Sequence, residues 1–146
     1  PYVTMHGSTQ VMVDYLAEML SDNGVQVEKF NLSVADTGKF VMALVDAATL
    51  VIASPTVLSG AHPVVVSAVF LTNALKPKLK FASIIGSYGW GGRMVEQITG
   101  MLSGLKVEIL APVVVKGQPV KKDFEALEIL ASGITNKHKE NKIYRI

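Results

Sequence analysis

The chain has 146 residues, 49% hydrophobic and 18% charged, which suits one domain with a sizeable core and falls below the usual charged share of about 25%. Fourteen Lys and Arg against twelve Asp and Glu leave a formal charge of +2, too small an imbalance to argue for a nucleic-acid partner. No cysteine is present, so disulfides, thiolate metal sites and thiol catalysis are excluded, and no apolar run approaches the roughly 18 residues of a membrane span.

In chain order, residues 2–5 read as the end of a strand. Residues 9–23 carry a helical stripe of Val11, Met12, Tyr15, Leu16, Met19 and Leu20, stopped by Asn23-Gly24, where Gly24 suits a left-handed cap. Residues 25–31 alternate Val25, Val27 and Phe30 with polar residues, as a strand near an edge would. A helix is expected over 37–48. The continuous apolar run 50–53, Leu-Val-Ile-Ala, marks a strand buried on both faces. A helix over 63–75 opens on Pro63, well placed in a first turn. Then come a strand at 80–86, a helix at 92–105, a strand at 107–115 and a helix from 121 to about 139 that fades into a basic tail. The order βαβαβαβαβα with short connections implies an α/β, doubly wound, five-stranded parallel sheet with helices on both faces. The first strand is short at its start, against about 5–6 residues for a usual strand. A piece cut from a longer polypeptide is therefore expected. No basic segment followed by an apolar core marks a signal peptide, and the absence of cysteine is compatible with a reducing, cytoplasmic setting.

Such sheets bind ligands beyond the carboxyl ends of their strands. Three loops fall there: Thr4-Met5-His6-Gly7-Ser8-Thr9, then Ser54-Pro55-Thr56-Val57-Leu58-Ser59-Gly60, then Ser87-Tyr88-Gly89-Trp90-Gly91-Gly92. All three are dense in glycine and hydroxyls, whereas the opposite end is joined by ordinary turns such as Asp22-Asn23-Gly24. The first loop opens a helix, whose free N–H groups and partial positive charge favour a phosphate. Thr4, Ser8 and Thr9 add hydroxyls, Gly7 permits close approach, and no Lys or Arg is present. The same residues are open to a plainer role, Ser8 or Thr9 capping the helix. The loop is neither a P-loop nor a dinucleotide fingerprint, and no aspartate follows the third strand to accept a phosphoryl group. In the last loop, Tyr88 and Trp90 stand among glycines that do not pack them. A flat aromatic ligand would cover Trp90 by stacking; packing on its own or a neighbouring domain is the alternative. Pro55 stiffens the middle loop, and Thr56 offers a hydroxyl from the opposite side.

A phosphate at the first loop and a planar ring between the other two describe flavin mononucleotide (FMN). With these motifs the chain resembles flavodoxins, and more closely the flavodoxin-like domain of flavodiiron proteins, also called A-type flavoproteins. The resemblance runs over the whole chain. It implies that Thr4, Met5, His6, Gly7, Ser8 and Thr9 surround the FMN phosphate. It also implies that Pro55, Thr56, Val57 and Leu58 line the ring, with Ser87, Tyr88, Gly89, Trp90, Gly91 and Gly92 on its far side. Family members often carry Asn after the Ser-Pro-Thr segment, where this chain has Val57, Leu58 and Ser59. In that family the domain follows an N-terminal metallo-β-lactamase-like domain with a diiron centre, and the complete protein reduces dioxygen or nitric oxide. The FMN of one subunit faces the diiron site of another in a head-to-tail dimer. The implied partners are thus a diiron domain of the same or a neighbouring subunit, a redox donor protein or reductase, and a second copy of the full-length chain; neither nucleic acid nor membrane is implied. The three scattered histidines do not supply the diiron ligands, so no metal site and no catalytic residue are expected here.

The candidate loops hold no Asp or Glu, and Arg93 follows the glycine cluster. Cations favour an anionic reduced flavin, so a less negative potential for the last electron is expected than in strongly acidic flavodoxins. For His6 two readings stand, approach to the flavin or a partner and plain exposure to solvent; His62 is expected to support the turn before Pro63, and His138 to lie at a solvated helix end. Met12, Met19, Met42, Met94 and Met101 sit at helical core spacing. Two rival readings remain: a stand-alone flavodoxin-fold quinone or azo-compound reductase using NAD(P)H, and a binding module that kept the fold and lost the flavin.

Overall fold

Apolar residues on consecutive positions of a strand need cover on both faces, and the central strands have it. The computed structural model describes residues 1–5, 7–34, 37–57, 60–88 and 93–143. Strand β1 (Thr49–Val57) pairs in parallel with β3 (Phe81–Tyr88), in register from Thr49 opposite Phe81 to Pro55 opposite Ser87. Leu50, Ile52 and Ile84 pack with Phe40 and Leu44 of α2 (Thr37–Asp46), Val65 and Val69 of α3 (Pro63–Leu75) and Ile98 of α4 (Met94–Met101). Ala53 and Ile85 face the other way. They meet Met12, Leu16 and Leu20 of α1 (Ser8–Asp22) and Leu127, Leu130 and Ile134 of α5 (Lys121–Glu140). The period-2 alternation of β3 thus divides one sheet between two cores, and each large aliphatic side chain so buried contributes about 1.5–3 kcal/mol.

The expected α/β doubly wound fold is present, with its sheet mostly parallel. Tyr2 forms parallel bridges to both Asn31 and Ala53. The order across the sheet is therefore the 25–31 segment, the Tyr2 segment, β1 and β3. Beyond β3 lie β4 (Glu108–Ile109) and β5 (Val113–Lys116), both paired with it. The winding reverses between the Tyr2 segment and β1, which fixes the switch point between the end of the first segment and the start of α1 on one side and the end of β1 on the other.

Several expectations are corrected. The first two predicted strands, 2–5 and 25–31, are reduced to the bridges at Tyr2; only residues near Tyr2 have a neighbour on both sides to pair with. The predicted strand 50–53 extends to Val57 and turns back through β2 (Gly60–Ala61), which is antiparallel; the all-parallel expectation fails at that edge. Pro55 is tolerated inside β1 because alternate residues address alternate neighbours: Ala53 and Pro55 face the Tyr2 side, which ends too soon to need a proline N–H. The predicted strand 107–115 splits at residues 110–112. Pro112 has no N–H to continue the ladder, and the Ser83 hydroxyl reaches the carbonyls of Leu110 and Ala111 at 3.4 and 3.3 Å. The helix expected over 92–105 is α4 followed by a short 3-10 turn, Leu102–Gly104.

Candidate functional site at the carboxyl rim of the sheet

The first loop turns on Gly7, which has φ +87° and stands as the N-cap of α1, a conformation costing a residue with Cβ about 1–2 kcal/mol. The turn is closed by the Gly7 N–H donating to the Thr4 hydroxyl at 3.1 Å. Ser8 and Thr9 are the first residues of the helix rather than its caps. Both are buried, and among the described residues no side chain caps the α1 N-terminus. The capping role open to Ser8 or Thr9 is thereby corrected: Gly7 is the N-cap, and both hydroxyl residues stand inside the helix.

Thr9 also links two of the three motifs. Its hydroxyl lies 3.5 Å from that of Ser87, 78 residues later in the chain. Ser87 is buried and Tyr88, the last residue of β3, is partly exposed. The Tyr88 carbonyl accepts from Gly117 N–H at 2.9 Å, and Tyr88 pairs with Lys116.

The middle motif is held by residues that the sequence did not single out as binding. Ser54 is fully buried; its hydroxyl donates to the Pro55 carbonyl at 2.7 Å and accepts from the His62 N–H at 2.9 Å. Thr56 and Val57 pair with Ala61 and Gly60 across the hairpin. Gln97 of α4 accepts the Ala61 N–H at 2.8 Å through Oε1, bracing the hairpin from the side. Gly86 allows β1 and β3 to close up: a Cβ there would lie 2.1 Å from the Ser54 carbonyl oxygen and 2.6 Å from Met94 Cε. No linear pattern announces Gln97, whose partner Ala61 lies 36 residues away; Ser54 opens the middle loop, and the fold shows its hydroxyl tying Pro55 to the His62 N–H.

Of the sixteen expected binding residues, Thr4, Met5, Gly7, Ser8, Thr9, Pro55, Thr56, Val57, Ser87 and Tyr88 are described, and they lie at the same rim of the sheet. His6, Leu58, Gly89, Trp90, Gly91 and Gly92 lie outside the described residues. Arg93 is exposed at the start of α4. His62 supports its turn as expected: Nδ1 accepts the Val64 N–H at 3.1 Å, capping α3. His138 is not merely a solvated helix end, for its Nε2 lies 2.6 Å from the Thr49 hydroxyl and burial lowers its pKa below 6.5. Met42 is exposed rather than core. Among the described residues no group of three or more His, Asp or Glu side chains gathers as a metal site would require.

A doubly wound sheet with hydroxyl-lined loops at its switch point defines a nucleotide-binding α/β protein of the flavodoxin type. The family model described as flavodoxin matches residues 1–129: the chain belongs to the flavodoxin family, whose cofactor is FMN. Among its relatives is the rubredoxin-oxygen oxidoreductase of Megalodesulfovibrio gigas, 30% identical over 134 residues, which cover 91% of this chain and 33% of that protein. Another is the nitric oxide reductase of Moorella thermoacetica, 34% identical over 110 residues, covering 75% of this chain and 28% of that protein. A solved rubredoxin oxygen:oxidoreductase from Desulfovibrio gigas superimposes with a TM-score of 0.90 at 29% identity, over 95% of this chain and 35% of that one. A flavodoxin from Archaea shares the fold at a TM-score of 0.80 and 21% identity, over 94% and 95% of the two chains. This chain thus spans about a third of the length of the oxidoreductase relative and corresponds to the flavodoxin-like domain of flavodiiron proteins. Among the described residues no helix is long and apolar enough to cross a membrane.

Proposed function

We propose that the carboxyl rim holds FMN and that the domain relays electrons to a diiron centre in a complete flavodiiron protein. One observation carries the reading: the N-terminus of α1 has no side-chain cap among the described residues, has two buried hydroxyl residues in its first turn, and lies within reach of Ser87 at the end of β3 through Thr9. The residues fit the group. The Gly7 turn opens α1, whose first N–H groups no described side chain caps, and Thr4 holds that turn shut. Ser8 and Thr9 supply hydroxyl donors, so a phosphate gains charge-assisted hydrogen bonds without a lysine or arginine. His6 and Met5 complete that loop. Pro55, Thr56, Val57 and Leu58 line one side of the ring, and Ser87, Tyr88, Gly89, Trp90, Gly91 and Gly92 the other, with Trp90 stacking. Bound FMN supplies one-electron chemistry; the chain's own part is to grip, orient and partly uncover the ring.

The relatives' names, a rubredoxin-oxygen oxidoreductase and a nitric oxide reductase, support dioxygen or nitric oxide as the final acceptor and a redox donor protein or reductase as the source of electrons; the larger assignment also takes this domain to follow a metallo-β-lactamase-like domain. A head-to-tail homo-oligomer would bring each flavin to a neighbour's diiron site, in the cytoplasm.

The phosphate grip is tested by Thr9→Val, which keeps shape and removes the hydroxyl. A lost hydrogen bond to a charged group amounts to about 1.5–3 kcal/mol, or roughly 10–100-fold in FMN affinity. Equilibrium dialysis should show that loss for FMN and none for riboflavin, which lacks the phosphate. Equal weakening of both ligands, or no FMN binding by the unaltered protein, overturns the reading. Rapid bleaching of the flavin by NAD(P)H alone, without a carrier protein, would place the domain among the reductases instead.

A further inference from the structure

The hairpin that carries Thr56 and Val57 is too short to hold itself. Its second strand, β2, has two residues and one strand neighbour among the described residues, β1. A two-stranded ribbon of that size is marginal in water, and its outward backbone donors need partners. Two side chains from outside the ribbon's pairing accept from consecutive residues. The Ser54 hydroxyl accepts the His62 N–H at 2.9 Å, and Gln97 Oε1 accepts the Ala61 N–H at 2.8 Å.

The Gln97 contact reaches between two of the candidate loops. Gln97 stands in the first turn of α4, where its own N–H donates to the Arg93 carbonyl at 2.9 Å. Arg93 directly follows Gly92, the last glycine of the third loop. A single helical turn, closed by that bond, therefore runs from the end of the third loop to the carboxamide that grips the middle one. Apolar packing backs the polar contact: Ala61 lies in the same core as Met94 and Ile98. Gly60 makes room for the carboxamide. A Cβ on Gly60 would lie 2.8 Å from Gln97 Oε1. Gly60 is not among the glycines with positive φ, so its missing side chain provides space against Gln97 rather than backbone freedom.

We propose that Gln97 is a positioning residue for the flavin ring: through the Ala61 N–H its carboxamide fixes the middle loop relative to the third, and so the width of the gap that the ring enters. This rests on the reading of the rim as an FMN site. Gln97 acts through the hairpin backbone and takes no part in holding the phosphate, which is gripped from the start of α1. The first loop is tied to the third separately, through Thr9 and Ser87. The ring walls and the phosphate grip thus have separate supports and can be disturbed one at a time.

Equilibrium dialysis of four variants with riboflavin and with FMN tests this, on protein shown to be folded by circular dichroism. Gln97→Ala removes the acceptor. Gln97→Glu keeps an oxygen for the Ala61 N–H and is the conservative rescue. Gly60→Ala leaves Gln97 in place and displaces its carboxamide. The fourth variant combines Gly60→Ala with Gln97→Ala. Gln97→Ala and Gly60→Ala should each weaken riboflavin and FMN by the same factor, about tenfold, because the phosphate grip is untouched. Gln97→Glu should stay within about threefold of the unaltered protein. The double variant should bind no more weakly than Gln97→Ala alone, since both changes break one contact. Unchanged affinity in Gln97→Ala, a loss confined to FMN, an equal loss in Gln97→Glu, or losses that multiply in the double variant overturn the proposal; FMN binding by the unaltered protein then leaves the reading of the rim standing. No flavin bound by the unaltered protein overturns that reading and the proposal with it. Where Gln97→Ala does not fold, Gly60→Ala decides alone: equal loss of both flavins supports the proposal, and no loss overturns it.

Discussion

Gly86 shows how one missing methyl group sets a site. Its β1 neighbour approaches so closely that a Cβ would lie 2.1 Å from the Ser54 carbonyl oxygen, a backbone atom that cannot swing away. Gly86→Ala should therefore destabilise the fold by about 1–3 kcal/mol or more through overpacking, read as a lower urea midpoint with an unchanged slope. It should also push Ser54 and Ser87 apart and weaken FMN binding. Arg93 acts at longer range. It stands exposed beside a rim whose three candidate loops carry no carboxylate. Arg93→Glu should make the potential of the last electron more negative; an unchanged potential in a redox titration at low salt would defeat that role.

Among the elements, α4 has two tasks. Ile98 packs into the core, whereas Gln97 reaches out to the β2 hairpin. Gln97→Leu leaves the helix intact and the Ala61 N–H without its acceptor, costing about 1–3 kcal/mol locally if the amide stays buried. The measurable outcome is faster exchange of the Ala61 amide and a looser Pro55–Val57 arm of the hairpin, with global stability affected less. Helix α5 is placed by its apolar stripe, Leu127, Leu130 and Ile134. Its last turn carries Lys137, His138 and Lys139, cations that complement the negative helix end, and His138 ties that turn to β1 through Thr49.

For the whole molecule, His138 is the handle on pH dependence. Burial lowers its pKa below the ordinary 6.5, so the unfolded chain binds more protons than the folded one just below that value, and stability rises with pH across that window. Glu28, Asp46 and Lys139 border the same cavity as His138, and Lys29 is paired with Asp14 at 3.1 Å. His138→Gln should flatten the slope of stability below about pH 6.5, read from urea midpoints at several pH values; an unchanged slope would assign it to other groups.

The amino-acid sequence by itself determined the alternation of strands and helices, the sheet's burial on both faces and the three loops that would share one rim. Those properties follow from local periodicity, from glycine and proline, and from the rule that connections in such sheets are short. His62 capping α3 beside Pro63 is of the same local kind. Only the tertiary structure decided that Pro112 breaks the last predicted strand, that β1 runs on into an antiparallel hairpin, and that Ser54, Gly86 and Gln97 hold the middle loop. It likewise placed Thr9 against Ser87. The contacts of Gly86, Gln97 and Ser87 depend on which groups meet across tens of residues, and pairing between distant segments leaves no period in the linear chain for a reader to find.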